Sequence, residues 1–156
     1  MKSEIKKQCK EVNLEFRSIK NTDYDGCARS LMATFGEPPW NERWTYEQAH
    51  TRINEMMAGT MSRGFIVLDG DKIIATCIGR IMTYISMKEL WIDEFSVNPT
   101  HQGQSIGSRL ITFVRGELKK EGVNHLALTT HRDYPSVRFY EKNGFKVSKS
   151  IVFMHD

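Results

Sequence analysis

The chain has 156 residues, 40% of them hydrophobic and 26% charged, which suits one compact domain with an ordinary core. A net charge of +3 and a pI of about 8.8 are only mildly basic, far short of a nucleic-acid binder's basic stripe, so no nucleic-acid partner is expected. Cys9, Cys27 and Cys77 are odd in number and widely spaced, the histidines lack HExxH spacing, and no apolar run reaches the ~18 residues of a membrane span; a disulfide framework, a metal site and a membrane partner are therefore not expected, and a cytoplasmic location is.

Met1 to Lys10 carries charge with no apolar stretch after it, so it reads as a flexible arm rather than a leader. With no repeat or linker, residues 1–156 read as a single domain. Leu14 to Ile19 alternates apolar and polar, the mark of a short strand. Asn21 to Thr34 follows helical spacing, with Tyr24, Cys27 and Leu31 on one face. Gly36 to Trp40, with Pro38 and Pro39, breaks that helix. Thr45 and Gln48 form a capping-box pattern for a second helix with the stripe Ala49, Ile53, Met56 and Met57. Phe65 to Leu68 and Lys72 to Thr83 read as strands joined at Asp69-Gly70-Asp71, and Leu90 to Val97 as another. A third helix spans Ser105 to Lys120, with Ile106, Leu110, Phe113, Val114 and Leu118 on one side and Gly122 beyond its end. His125 to Thr130 is a strand, Pro135 to Lys142 a short helix, and Phe145 to Met154 a closing strand. The order β-α-α-β-β-β-α-β-α-β predicts an α/β fold with a mixed sheet and helices on its faces.

The most informative stretch is Val97 to Leu110. A strand ends, a glycine-bearing loop follows, and a helix starts at once. The first amides of a helix have no carbonyl partner, and the helix dipole adds partial positive charge, which makes an anion site suited to a pyrophosphate. Gly103 and Gly107 would let the backbone approach a ligand closely. Taken alone, the same pattern is equally consistent with a structural strand-to-helix turn; it is neither a Walker loop nor a full dinucleotide fingerprint.

Gln102-Gly103-Gln104-Ser105-Ile106-Gly107 resembles the Q/R-x-x-G-x-G/A motif of GNAT acetyltransferases, with Ser105 where the family has its central glycine. Downstream, Asp133 to Phe145 resembles the family pattern N-x-x-A-x-x-F/L-Y-x-x-x-G-F. Phe139, Tyr140, Gly144 and Phe145 match; Asp133 and Ser136 replace the usual Asn and Ala. The resemblance covers about Leu90 to Phe145. It implies a mixed, mainly antiparallel central sheet with helices on both faces and a splay between two central strands. It also implies acetyl-CoA as cosubstrate, held by Phe95, Ser96 and Val97, by Gln102, Gly103, Gln104, Ser105, Ile106, Gly107 and Ser108 of the loop, and by Asp133, Ser136 and Tyr140.

By the same resemblance Tyr140 would protonate the leaving thiolate, a task that suits a phenol. The base is open between adjacent carboxylates. Strict alternation puts Trp91, Asp93, Phe95 and Val97 on one face and Ile92, Glu94 and Ser96 on the other, so only one of Asp93 and Glu94 would meet the amine. Ile92-Asp93-Glu94-Phe95 resembles the corresponding strand of aminoglycoside 6'-N-acetyltransferases, which implies Asp93 as base or amine ligand. A structural ion pair is the alternative for Asp93, and a polar surface role for Glu94.

The family builds its acceptor wall from the first two helices and their connection, here Phe35 to Thr45. Glu37, Trp40, Glu42 and Trp44 would enclose a cationic amine by charge and stacking, with Tyr84, Trp91 and Asp93 lining the rest. The alternative for the tryptophans is packing of the loop onto the sheet. The resulting expectation is an N-acetyltransferase acting on a small-molecule amine such as an aminoglycoside or polyamine, with antibiotic resistance as the setting and a homodimer as the family precedent. A protein or peptide acetyltransferase and a non-catalytic acyl-CoA-binding module remain the alternatives.

Overall fold

A computed structural model describes residues 13–156. The arm expected over Met1 to Lys10, with Cys9, lies outside the described residues. The elements in order are β1 (Leu14–Ser18), a 3-10 turn (Asn21–Asp23), α1 (Tyr24–Phe35), α2 (Tyr46–Met57), β2 (Ser62–Asp69), β3 (Lys72–Tyr84), β4 (Met87–Val97), a 3-10 turn (Pro99–His101), α3 (Ile106–Lys119), β5 (His125–Leu128) and α4 (Ser136–Lys142). The sheet order is β1-β2-β3-β4-β5. The pairs β1–β2, β2–β3 and β3–β4 are antiparallel, and β5 runs parallel to β4.

The sheet carries one apolar layer on each face. On one side Ile106, Leu110, Val114 and Leu118 of α3 pack against Phe65, Val67, Cys77, Ile81, Leu90 and Ile92. On the other, Cys27, Ala28 and Leu31 of α1 and Ala49 and Ile53 of α2 cover Ile66, Leu68, Ile73 and Ile78. These are the helical stripes that the sequence spacing predicts. Leu110 is fully buried, so Leu110→Ala would cost about 3 kcal/mol. The predicted capping box of α2 is present: Gln48 N–H donates to Thr45 Oγ1 at 3.2 Å, and Thr45 N–H donates to Gln48 Oε1 at 2.9 Å. Before α1, Asp23 accepts both arms of Arg17 at 2.7 and 2.9 Å and the Lys20 N–H at 2.7 Å.

Two features differ from the sequence expectation. The strand expected over Phe145 to Met154 does not form. Ser148 Oγ instead accepts the amides of Ser150 and Ile151 at 3.3 and 3.2 Å, a local turn that competes with a ladder. Ile151, Val152, Phe153 and Met154 are consequently exposed. As a result β5 closes the sheet, and the β4–β5 pair, where the splay was expected between central strands, lies at its edge.

The second feature is a β-bulge in β4. Ile78 pairs with Glu94 and Gly79 with Ile92, so Asp93 is the extra residue. Gly79 makes room for it: a Cβ there would strike the Trp91 carbonyl oxygen and come within 3.0 Å of Ile92 Cα. The bulge breaks the period-2 alternation. Leu90, Ile92, Phe95 and Val97 all pack with the α3 layer. Glu94 and Ser96, opposite Ile78 and Thr76, face the α1–α2 layer.

Candidate functional site

Strands β4 and β5 pair only from Glu89–His125 to Ile92–Leu128. From Asp93 to Val97, β4 continues without β5 paired to it, which leaves a gap in the ladder, the β4–β5 cleft. The loop after β4 leads straight into α3. Asn98 Oδ1 accepts the Thr100 N–H at 3.2 Å, and the Gln102 side-chain amide donates to the Val97 carbonyl at 2.9 Å, which ties the loop to the strand end.

The first hydrogen bond of α3 is from Arg109 N–H to the Ser105 carbonyl at 3.0 Å. The amides of Gly103, Gln104, Ser105, Ile106, Gly107 and Ser108 find no acceptor among the described residues. Their free N–H groups at a helix N-terminus are what a pyrophosphate needs, so the segment fits a nucleotide-diphosphate tail. Gly103 takes φ +73° with no atom near its would-be Cβ, an open rim on the loop. Ser105 is the N-cap, not a residue of the first turn; its φ of 61° and ψ of 12° are left-handed, a region that favours glycine. Arg109 does not face this loop. Its guanidinium lies 4.9 Å from the centre of the Phe16 ring.

Helix α4 sits on the α3 side of the cleft. The Tyr140 ring is enclosed by Phe95, Phe139 and Phe145, with centroids 6.0, 5.2 and 5.4 Å away. Burial pushes its phenol pKa well above the usual value. Ser136 Oγ lies 2.8 Å from Thr130 Oγ1, so it braces the turn into α4, while Asp133 is exposed.

On the opposite face of β4 the bulge brings both carboxylates together. Arg80 of β3 donates to Asp93 through Nε at 2.8 Å and Nη2 at 2.7 Å, a bidentate pair that engages both oxygens. Arg52 of α2 donates through Nε to Glu94 Oε2 at 3.0 Å and through Nη2 to the Asp93 carbonyl at 3.4 Å. Glu94 is 7% exposed. Burial raises its carboxyl above the usual range, and Arg52 pulls it back down. The expectation that only one carboxylate turns to this face fails because the bulge adds a residue. Nothing local in the sequence marks Arg52 or Arg80 as their partners; Arg52 is separated from Glu94 by 42 positions.

The acceptor candidates are distributed unevenly. Trp40 stacks edge-on with Phe35 and Tyr134, at 5.4 and 4.8 Å, and lies 5.9 Å from His131, so it joins the α1–α2 connection to the segment before α4. Trp44 donates its indole N–H to Glu42 and lies below Arg52, whose Cζ is 5.9 Å from the ring centre. An open cleft of about 430 Å³ is lined by Trp44, Glu47, Gln48, Thr51, Arg52 and Glu55. Glu37 is exposed on the connection, and Trp91 is half-buried opposite Arg80. Tyr84 is 70% exposed at the far tip of the β3–β4 hairpin, away from the β4–β5 cleft.

Burial pushes the thiols of Cys27 and Cys77 up to about 12, which leaves both protonated and unsuited to nucleophilic catalysis. Among the described residues no cluster of His, Cys, Asp and Glu could hold a metal ion, and no helix is long and apolar enough to cross a membrane.

Comparison with known proteins agrees with the fold. A sequence model of the acetyltransferase (GNAT) family matches residues 25–145. No curated protein matches the chain. Among solved structures, a transcriptional regulator from Bacillus halodurans C-125 is 21% identical with a TM-score of 0.74, over 92% of this chain and 99% of that one. The aminoglycoside acetyltransferase meta-AAC0020 from an uncultured soil metagenomic sample, in complex with trehalose, is 17% identical with a TM-score of 0.72, over 92% and 95%. AAC(6')-Iy, in complex with the bisubstrate analog CoA-S-monomethyl-acetylneamine, is 15% identical with a TM-score of 0.70, over 92% and 97%. At these identities the likeness is one of fold.

Proposed function

From the premise that this chain belongs to the acetyltransferase (GNAT) family, we propose that it transfers an acetyl group from acetyl-CoA to the primary amine of a small cationic molecule, by direct attack with both substrates bound. The observation that carries the reading is the end of β4–β5 pairing at Ile92–Leu128 beside a run of free amides at the start of α3. The pyrophosphate would lie on Gly103 to Ser108, and the thioester arm along β4 at Phe95, Ser96 and Val97.

Acetyl-CoA supplies an activated acyl group. The new bond joins the acceptor nitrogen to the acyl carbon, and the bond from that carbon to sulfur breaks. The nitrogen must shed a proton, and the departing sulfur must gain one. Tyr140, kept protonated by its apolar surroundings, is the donor to sulfur. Glu94 is the better candidate for the base. Both oxygens of Asp93 are taken by Arg80, whereas Glu94 is bonded to Arg52 through one oxygen only. Its raised pKa also makes it a stronger base than an exposed carboxylate. Asp93 then holds the bulge that turns Glu94 to this face.

The cleft along α2 supports a cationic acceptor. Trp44 offers a ring face, and Glu47 and Glu55 exceed the charge of Arg52, which is already paired. The structurally similar meta-AAC0020 is by name an aminoglycoside acetyltransferase, and aminoglycosides are a polycationic class that suits such a cleft. The test is release of CoA thiol from acetyl-CoA with aminoglycosides, polyamines, amino acids and short peptides. Turnover with an aminoglycoside or polyamine is the expected result. Turnover confined to peptides would replace the small-molecule reading, and acetyl-CoA binding without turnover of any amine would favour a binding module.

A further inference from the structure

We infer that Arg52 is a positioning residue for the base: its guanidinium spans from the Trp44 ring in the α2 cleft to the Glu94 carboxylate and holds that carboxylate in its reactive orientation. The inference rests on the reading of Glu94 as base and adds the residue that makes it one.

Three contacts fix Arg52. Its Nε donates to Glu94 Oε2 at 3.0 Å, its Nη2 donates to the Asp93 carbonyl at 3.4 Å, and its Cζ lies 5.9 Å from the Trp44 ring centre. The second contact places the guanidinium on the bulge itself, so the same side chain reads the backbone that aims Glu94. Helix α2 thereby links the acceptor cleft to a buried carboxylate on β4. Arg52 is 39% exposed and Glu94 8% at their side chains.

The other charges around Glu94 do not substitute. Glu42, from the α1–α2 connection, and Asp93, on the same strand, both disfavour ionisation. Cys77 of β3 and Tyr140 of α4 lie near enough to feel Glu94, but both are neutral. Arg80 is committed to Asp93. Without Arg52 the carboxylate would face burial and like charge alone, and it would take up a proton at higher pH.

The experiment follows the Glu94 carboxyl carbon by 13C NMR titration in the full chain, with Glu94→Gln to assign the signal, for wild type, Arg52→Met and Arg52→Lys. Arg52→Met is expected to raise the midpoint by about 1 pH unit or more, with Arg52→Lys in between. With the amine that turns over, the acid limb of kcat should move by the same amount and KM for acetyl-CoA should not change. A midpoint unmoved in folded Arg52→Met overturns the inference; so does an unmoved midpoint in Arg52→Lys if Arg52→Met does not fold. A full-rate Glu94→Gln enzyme with its acid limb intact would remove the base reading, whereas a limb lost in Glu94→Gln but unmoved in Arg52→Met would remove the role of Arg52 alone.

Discussion

Gly107 of α3 lies directly under the Phe139 ring of α4: a Cβ built on it would come within 2.9 Å of Phe139 Cζ and 3.0 Å of Cε2. The helix that begins with the unbonded amides and the helix that carries Tyr140 are thus in contact through a hydrogen atom. Phe139 is itself 5.6 Å from Phe95 of β4, so the contact closes a triangle around the cleft.

A methyl group at position 107 would force Phe139 and α4 away. Gly107→Ala is expected to raise KM for acetyl-CoA by about 10-fold and to lower kcat, because a displacement near 1 Å at a reacting group is costly. Steady-state kinetics in acetyl-CoA would check this; unchanged constants would mean that α4 moves freely of α3.

Ser105 is held in the left-handed region at a cost of about 1 kcal/mol, which glycine would not incur. Ser105→Gly should therefore stabilise the protein and raise Tm by about 2–4 °C. Its amides stay where they are, so acetyl-CoA affinity should hold or rise. Thermal melts with and without acetyl-CoA give both quantities.

Tyr140→Phe keeps the ring contacts to Phe95, Phe139 and Phe145 and removes only the proton. Loss of a general acid costs about 100-fold in rate, so kcat should fall by that order with KM for acetyl-CoA unchanged. Because burial raises the phenol above its ordinary value of 10.0, no alkaline limb from Tyr140 should appear below that pH. A variant that keeps the wild-type kcat would remove Tyr140 from the chemistry.

Glu94 sets the pH dependence on the acid side. Burial raises its carboxyl above 4.5, so the acid limb of kcat should lie above that pH and vanish in Glu94→Gln. The sign for stability is opposite to that of a paired surface carboxylate. The folded state binds this proton more tightly, so the contribution is complete below the unfolded pKa and is lost as pH rises through the folded one. The stability of Glu94→Gln relative to wild type should therefore increase with pH, as urea melts across the pH range would show.

Asp23 behaves the other way. The Arg17 side-chain hydrogen bond is the largest of the causes that hold its carboxyl below 3.8. Its stabilisation is present above the unfolded value and lost as pH falls through the folded one. Asp23→Ala should cost about 2 kcal/mol, since it removes the acceptor of two Arg17 hydrogen bonds and of the Lys20 amide while Arg17 keeps Glu15. Urea melts at neutral pH and near pH 3 should show the difference shrinking toward acid.

Local pattern alone was enough for the elements up to α4, though not for the closing strand expected over Phe145 to Met154, and for the strand-loop-helix shape of the segment before α3. The stripes of α1, α2 and α3, the Thr45–Gln48 box and the strand-loop-helix at Val97 to Leu110 all follow from spacing within a few residues of one another. Such spacing is imposed by the helix and strand repeats themselves, which are properties of the local chain. The acceptor side was less legible. Trp44 sits at the α2 cleft, but Trp40 is taken up by Tyr134 and His131, and Tyr84 stands at the far end of the hairpin.

By itself, then, the sequence determined a mixed sheet with helices on both faces and a strand-loop-helix with unbonded amides at the helix start. The face on which Asp93 and Glu94 lie was settled only in three dimensions. It depends on an extra residue in β4 that exists relative to β3, and Gly79 was its sole trace along the chain. Likewise Arg52 meets Glu94 across 42 positions, and Arg80 meets Asp93 across a strand pair. Periodicity reports which face a residue would take in an unbroken strand; register and long-range charge pairing arise from packing between elements, which no local repeat encodes.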